Sequence, residues 1–384
     1  MQLTRRHTLT GLALVAAACV TDARAAWPDL PIETQGDDYV FQLFNDVDDI
    51  EVITHQNVYR VALENETELR IGLAHQTVVI PAVEAPPGSD DAVDAITTAS
   101  RPIRDIGDAY REYARTRKEV QFDVSRPELS VGYYFSTEED YLAQMIRTQW
   151  NRDFAGETFN LSVGASFGWD TIDPLADADS RSVSDHRHTT YANVVVTRVL
   201  TPTTVVRAGY ETFFVDGLQH NPYRNVYVAG GNETERHPDD RHRQDVYLRL
   251  NQYLPLRASL KLEAKLYGDD WGVRSTTLGA RLSQYVGDAL IVRYRYRYYD
   301  QSAADFHSTN YTTTGGIGGY RTADYRLSAF DAHLFGTRVH WSLRDLIEGG
   351  TIWNGLALQL GYERYFNSNN FSANILEAGV SLDF

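Results

Sequence analysis

Cysteine is all but missing from this chain: 384 residues contain one, Cys19. A single thiol builds no disulfide framework, thiolate metal site or covalent haem attachment. Long apolar runs are missing too. Beyond the first two dozen residues, polar or charged side chains interrupt every hydrophobic stretch within a few positions. No segment approaches the roughly 18–20 apolar residues of a spanning helix, so a polytopic helical membrane protein is excluded. Basic charge is also scarce, with 36 Lys and Arg against 52 Asp and Glu and a formal charge of −16. Phosphate neutralisation needs a basic surface, and nucleic acid is therefore not an expected partner.

What is abundant is aromatic residues and glycine: Tyr 24, Phe 15, Trp 6 and Gly 27, against Met 2. That balance favours strands over helices. At the start, Arg5 and Arg6 precede an apolar run from Leu9 to Val20, and Ala23-Arg24-Ala25 stands before Ala26. Basic, greasy and small-residue segments in that order predict a cleavable secretory signal over residues 1–25, leaving 26–384 as the mature domain. The Sec route is preferred to the twin-arginine route, which carries folded cargo. Ala16, three places before Cys19, is not the large aliphatic residue of a lipidation site. With Cys19 inside the signal, the mature chain holds no cysteine.

The dominant pattern of the mature chain is period-two alternation in segments of about ten residues ending at Gly, Pro, Asn or Asp. Between Ile291 and Tyr299, Arg293, Arg295 and Arg297 share one face and Val292, Tyr294, Tyr296 and Tyr298 the other. Lys261, Glu263 and Lys265 alternate likewise with Leu260, Leu262, Ala264 and Leu266. A soluble sandwich would alternate in the same way. Strand number and connection length decide against it. Short turns at Gly156, Pro202, Pro255 and Gly287-Asp288 alternate with long polar connections such as 173–185, 216–241 and 302–322, the asymmetry of a barrel with one periplasmic and one outer rim.

The pattern predicts an all-β fold, a transmembrane antiparallel β-barrel of about sixteen strands with short periplasmic turns and long outer loops. Strands are placed at 38–45, 50–63, 66–81, 115–125, 128–137, 140–153, 157–171 and 189–200. The second half follows at 204–215, 243–253, 257–268, 274–286, 289–302, 324–343, 355–367 and 371–384. Segment 81–114 becomes a long outer loop that could fold inward. Leu376, Ala378, Val380, Leu382 and Phe384 fall on one face of the last strand, as in the terminal strand recognised by outer-membrane assembly machinery. Outer-membrane lipid and that machinery are thus expected partners, in the outer membrane of a Gram-negative bacterium.

The blocks Arg295–Phe306 (RYRYYDQSAADF), Asp324–Phe330 (DYRLSAF), Asp270–Arg274 (DWGVR) and Ser136–Leu142 (STEEDYL) resemble the bacterial family catalogued as domain of unknown function 3570. The resemblance runs over most of the mature chain and implies an outer-membrane barrel of unassigned activity. Members tend to be encoded near a flavin transferase, a thioredoxin-like protein and a small lipoprotein. This implies an envelope lipoprotein or redox protein as a partner.

By alternation, Arg207, Arg249, Lys261, Lys265, Arg281, Arg293, Arg295 and Arg297 face the lumen, with Glu211, Asp245, Glu263 and Glu363 among the opposing acids. Such a wall either pairs its charges across strands or leaves a field that concentrates anions. His186, His188, His220, His237 and His242 with Asp239 and Asp240 fall in two expected outer loops. Solvated loop is the preferred reading, with a zinc or copper site as the alternative for His186, His188, His237 and His242. Asp94–Ser100 (DAITTAS) departs from a flavin-acceptor motif at Ala95 and Thr98, so no cofactor is expected. His333 and Asp331 share a face, yet no serine in a recognisable context accompanies them, and a barrel hydrolase is disfavoured. Trp150, Trp169, Trp341, Tyr298 and Tyr362 read as interfacial belts. The expected role is a channel for small polar solutes. A non-conducting scaffold for an envelope redox system is the alternative.

Overall fold

In the computed structural model, residues 32–47, 50–80, 113–174, 184–222, 224–312, 317–343 and 355–383 are described. The expected signal at 1–25, the loop from 81 to 112 with its Asp94–Ser100 motif, and Phe384 lie outside them. The strands are β1 (Ile32–Asp46), β2 (Glu51–Leu63), β3 (Glu68–Ile80), β4 (Tyr113–Ser125), β5 (Leu129–Thr137), β6 (Tyr141–Phe154), β7 (Phe159–Ile172), β8 (Asp185–Thr201) and β9 (Thr204–Gly217). They continue as β10 (Asn225–Val228), β11 (Gly231–Thr234), β12 (Asp240–Leu254), β13 (Ala258–Asp269), β14 (Arg274–Val286), β15 (Leu290–Gln301), β16 (Phe330–Ser342), β17 (Ala357–Asn367) and β18 (Ser372–Asp383).

Sixteen of these pair with their neighbours in one closed antiparallel barrel; β10 and β11 form a separate hairpin. Closure is made by β1 against β18, in register from Gly36↔Asp383 to Asp46↔Ala373. Every strand edge is thereby paired, as a sheet in hydrocarbon must be. Alternation decides which face is which. Leu73, Val120, Ile146, Val194, Leu248, Leu278, Phe335 and Leu360 are exposed on the outer surface. On a barrel wall that band meets lipid rather than water. Leu376, Val380 and Leu382 share that face on β18, where Leu376, for example, stands opposite Leu43 of β1.

Several expected boundaries move. The first strand starts at Ile32 rather than 38, and β8 at Asp185 rather than 189. The span expected at 324–343 becomes a strand only from Phe330. Residues 325–327 are a 3-10 turn capped by Asp324, whose side chain accepts from the Arg326 amide. Connection asymmetry is also less uniform than expected: the loop-side links 138–140, 270–273 and 368–371 are short, while turn-side 343–356 is long.

On the loop side, segments 218–239 and 302–329 fold together over the mouth. Backbone bridges Val228↔Tyr311 and Arg236↔Arg321 tie them, and His307↔Thr322 closes the second segment on itself. Trp271, Val273, Ala304, Phe306 and Leu327 form one apolar cluster beneath, and Val226, Val228 and Tyr311 another. Gln301, at the end of β15, donates to the carbonyls of Arg326 (2.9 Å) and Ser328 (2.6 Å), which anchors this cap to the wall.

Candidate functional site

The lumen is the one large polar surface that alternation encloses, and its two halves differ in charge. In β2–β8 every inward arginine has a carboxylate. Arg60 meets Asp38 at 3.1 Å, Arg70 meets Glu68 at 2.5 Å, Arg115 meets Asp140 at 3.0 Å and Arg117 meets Glu119 at 2.9 Å. Arg147 reaches Asp123 at 2.6 Å and Arg187 reaches Asp170 at 2.7 Å. That wall is neutralised pair by pair.

The wall from β9 to β16 is not. Arg249 pairs with Glu263 at 2.5 Å, Lys265 with Asp245 at 2.8 Å and Glu211 at 3.4 Å, Arg295 with Glu363 at 3.0 Å and Arg338 with Glu377 at 2.7 Å. Among the described residues no carboxylate stands within salt-bridge distance of Arg207, Lys261, Arg281, Arg293 or Arg297. Arg207 donates instead to Thr197 Oγ1 (3.1 Å), and Arg293 to Ser283 Oγ (3.2 Å).

Strand register makes the surplus contiguous. Arg207 stands directly opposite Arg249, Lys261 opposite Arg281, Arg281 opposite Arg295, and Arg293 opposite Arg338. Like charges directly opposite work against folding, on the order of a few tenths of a kcal/mol each. Two recesses sharing Arg281 and Arg295 open along this wall, of about 220 Å³ and 280 Å³. A hydrated recess with uncompensated guanidinium groups attracts and transiently holds anions.

The cations expected from alternation to face the lumen, Arg207, Arg249, Lys261, Lys265, Arg281, Arg293, Arg295 and Arg297, all lie on this wall with Glu263. Sequence reasoning missed Arg338 and Arg243. Both sit on the inward parity of their strands, Arg338 two places from Gly336 and Arg243 two from Asp245, and extending the alternation by one residue pair finds each.

The histidines do not converge. His186 and His188 lie on β8 and His242 on β12, not in loops as expected, because those strands run further outward. His188 stacks on Phe167 (ring centroids 6.0 Å) and His242 on Phe214 (4.2 Å), both on the outer face. His237 is buried under the cap, edge-on to Trp271 at 5.1 Å. Among the described residues no three metal-ligating side chains come together. His333, Nε2 3.8 Å from Asp331, also faces outward, against Tyr296, Tyr298 and Phe366.

Beneath the cap surface lies a polar knot. Arg224 Nη1 is 2.5 Å from Asp324 and 3.8 Å from the fully buried Glu235, which also receives the Thr322 hydroxyl. Burial pushes the Asp324 carboxyl up, but Arg224 and Arg326 outweigh it and hold its pKa well below the usual carboxylate range. Glu235 is also lowered: burial opposes the charge, and His237, Arg224 and Thr322 overcome it.

A closed sixteen-strand barrel with a lipid-facing apolar band and a charged lumen defines an outer-membrane-type β-barrel protein. Among these, the chain belongs to the family described as Protein of unknown function (DUF3570), whose model matches residues 74–379. No curated protein matches it. Solved structures similar in fold include OmpTdeltaL8, a loop-deletion mutant of an outer membrane protein of Vibrio cholerae, at 9% identity and a TM-score of 0.45, covering 92% of this chain and 99% of that one. The outer membrane protein opdK from Pseudomonas aeruginosa is similar at 12% identity and 0.44, covering 92% and 98%. OccK2 (OpdF) of Pseudomonas aeruginosa, solved in complex with glucuronate, is at 12% and 0.43, covering 93% and 97%. What they have in common with this chain is the fold.

Proposed function

We propose that this protein is an outer-membrane channel of a Gram-negative bacterium that passes small polar solutes and favours anions. The observation that carries the reading is the one-sided lumen: five inward cations without carboxylates, contiguous across β9–β15, face a wall where every arginine is neutralised. The export pattern of residues 1–25 supports the location. Structural pairing alone does not account for the five cations without carboxylates, since a wall built only for pairing would give each one an acid within reach, as the inward arginines of β2–β8 have.

Planar-bilayer recording tests the reading. The refolded mature chain is expected to conduct, with a reversal potential on the anion side in a salt gradient. Replacing Arg293 and Arg297 together by Gln, which leaves the Arg295–Glu363 pair in place, is expected to move that potential toward cations. An unchanged potential would remove the role of this wall. A silent trace from folded protein would favour a non-conducting scaffold that holds an envelope lipoprotein or redox partner.

A further inference from the structure

Where the cap meets the barrel wall, a cavity of about 310 Å³ lies between the outer ends of β8, β12, β13, β14 and β15 and the loop segment around Asp324–Leu327. Four guanidinium groups line it: Arg187, Arg241, Arg243 and Arg326. Three are neutralised, Arg187 by Asp170, Arg241 by Asp269 and Arg326 by Asp324. Arg243 is the exception. Its cross-strand neighbour is Asp269, the register partner on β13. That carboxylate is already saturated: it pairs with Arg241 and accepts from the Tyr267 hydroxyl (2.7 Å) and from the amides of Trp271 (3.1 Å) and Val273 (2.9 Å). Nothing remains for Arg243, whose buried Nε has no hydrogen-bond partner among the described residues.

A buried guanidinium N–H without an acceptor costs free energy that a bound anion would recover. The planar fork of arginine matches carboxylate geometry. Half of the remaining lining is polar, with its one carboxylate, Asp324, held by Arg326; the other half is apolar and aromatic, including Trp271, over whose ring Arg241 sits at 4.1 Å, together with Tyr267 and Leu327. An inorganic ion would leave those surfaces uncovered, whereas a ring-bearing acid covers them. The volume is at the small end for organic-ligand sites.

We propose that this cavity is a binding site for a small organic carboxylate with a planar ring, held by Arg243 at the outer mouth of the lumen. It deepens the reading of the lumen as an anion path and rests on it for its biological sense, but binding is measured separately from conduction. The carboxylate would dock on the Arg243 fork with its ring against Trp271 and Tyr267. The neutral Arg187–Asp170 and Arg241–Asp269 pairs would stay intact beside it.

The test uses the full mature chain refolded in detergent micelles, with heat-modifiable gel mobility as the check on folding. The probe is 4-fluorobenzoate followed by fluorine NMR, with 4-fluorobenzyl alcohol as its neutral counterpart. Saturable binding of the acid and none of the alcohol is expected in the wild type. Arg243→Gln is expected to weaken the acid by about tenfold or more, the scale of a charge-assisted hydrogen bond lost, while Arg243→Lys, which keeps the charge but not the fork, weakens it less. Equal binding of acid and alcohol overturns the proposal, as does no binding of the acid, and the wild-type comparison needs no variant to fold. Unaltered affinity in folded Arg243→Gln overturns it equally. Intact, Arg243-dependent binding with a silent bilayer trace would refute the channel and leave the site standing.

Discussion

At the scale of single residues, the turn between β12 and β13 carries a cost that its sequence does not relieve. Leu256 and Arg257 hold φ of 71° and 54°, a region where a Cβ crowds the carbonyl and costs roughly 1–2 kcal/mol per residue. Leu256 is also 84% exposed, so no packing offsets the strain. In this three-residue link, two successive positive φ values are what Asn and Gly adopt most readily. Leu256→Asn with Arg257→Gly is therefore expected to stabilise the barrel by about 1–2 kcal/mol, read from the midpoint of denaturant unfolding in micelles. No shift would mean that the turn relaxes at little cost. In the β6–β7 turn only Gly156, at φ 63° with open space around its Cβ position, escapes that penalty; its neighbours Ala155 and Glu157, at 52° and 64°, carry it. The place of each bend was legible as a Pro or Gly between alternating runs. The strain at 256–257 was not, because a hydrophobic Leu beside Pro255 carries no local sign of a left-handed conformation.

At the scale of elements, the outer cap depends on carboxylates held ionised below their ordinary range. Asp324 and Glu235 both have lowered pKa values in the folded chain. A lowered folded pKa means stability that is complete above the unfolded value, near 4, and that fades as pH falls through the folded values. The cap is thus expected to keep its protection at pH 5 and above and to lose it progressively below about pH 4, while the lipid-embedded strands hold. Amide hydrogen exchange of segments 224–239 and 304–327 against the strands would read this. Equal loss of protection in both, or a cap indifferent to acid, would contradict the role given to Arg224 and Arg326. This element was poorly legible. The family-resembling block Asp324–Phe330 alternates in part and reads as a strand, but Asp324 caps a tight turn, and its partner Arg224 lies a hundred positions away.

At the scale of the whole molecule, placement in a bilayer exposes departures from the apolar band, the longest a row on three neighbouring strands. His55, His75 and Lys118 form a cross-strand row on the outer face. Each lies within two residues of the middle of a strand of 13 residues, and the mid-strand of a barrel sits in hydrocarbon. A lysine near the midplane costs about 2–4 kcal/mol. Lys118→Leu is accordingly expected to stabilise the barrel by about 2 kcal/mol when folding is titrated with denaturant into lipid vesicles. A neutral or destabilising effect would place the ammonium outside the hydrocarbon.

The amino-acid order alone determined the class of fold, the approximate strand number and the inward row of cations, because side-chain parity on a strand is a local property that turns interrupt but do not erase. It also marked the outward stripe Leu376, Val380 and Leu382. Only the closed tertiary structure decided which cations keep a counter-charge. Arg295 and Arg249 find acids on the next strands or beyond, Arg281 and Arg293 meet other arginines, and Arg243 finds its one neighbouring carboxylate taken. Charge compensation in a barrel depends on register between strands, and register is set by closure of the whole ring rather than by any single segment.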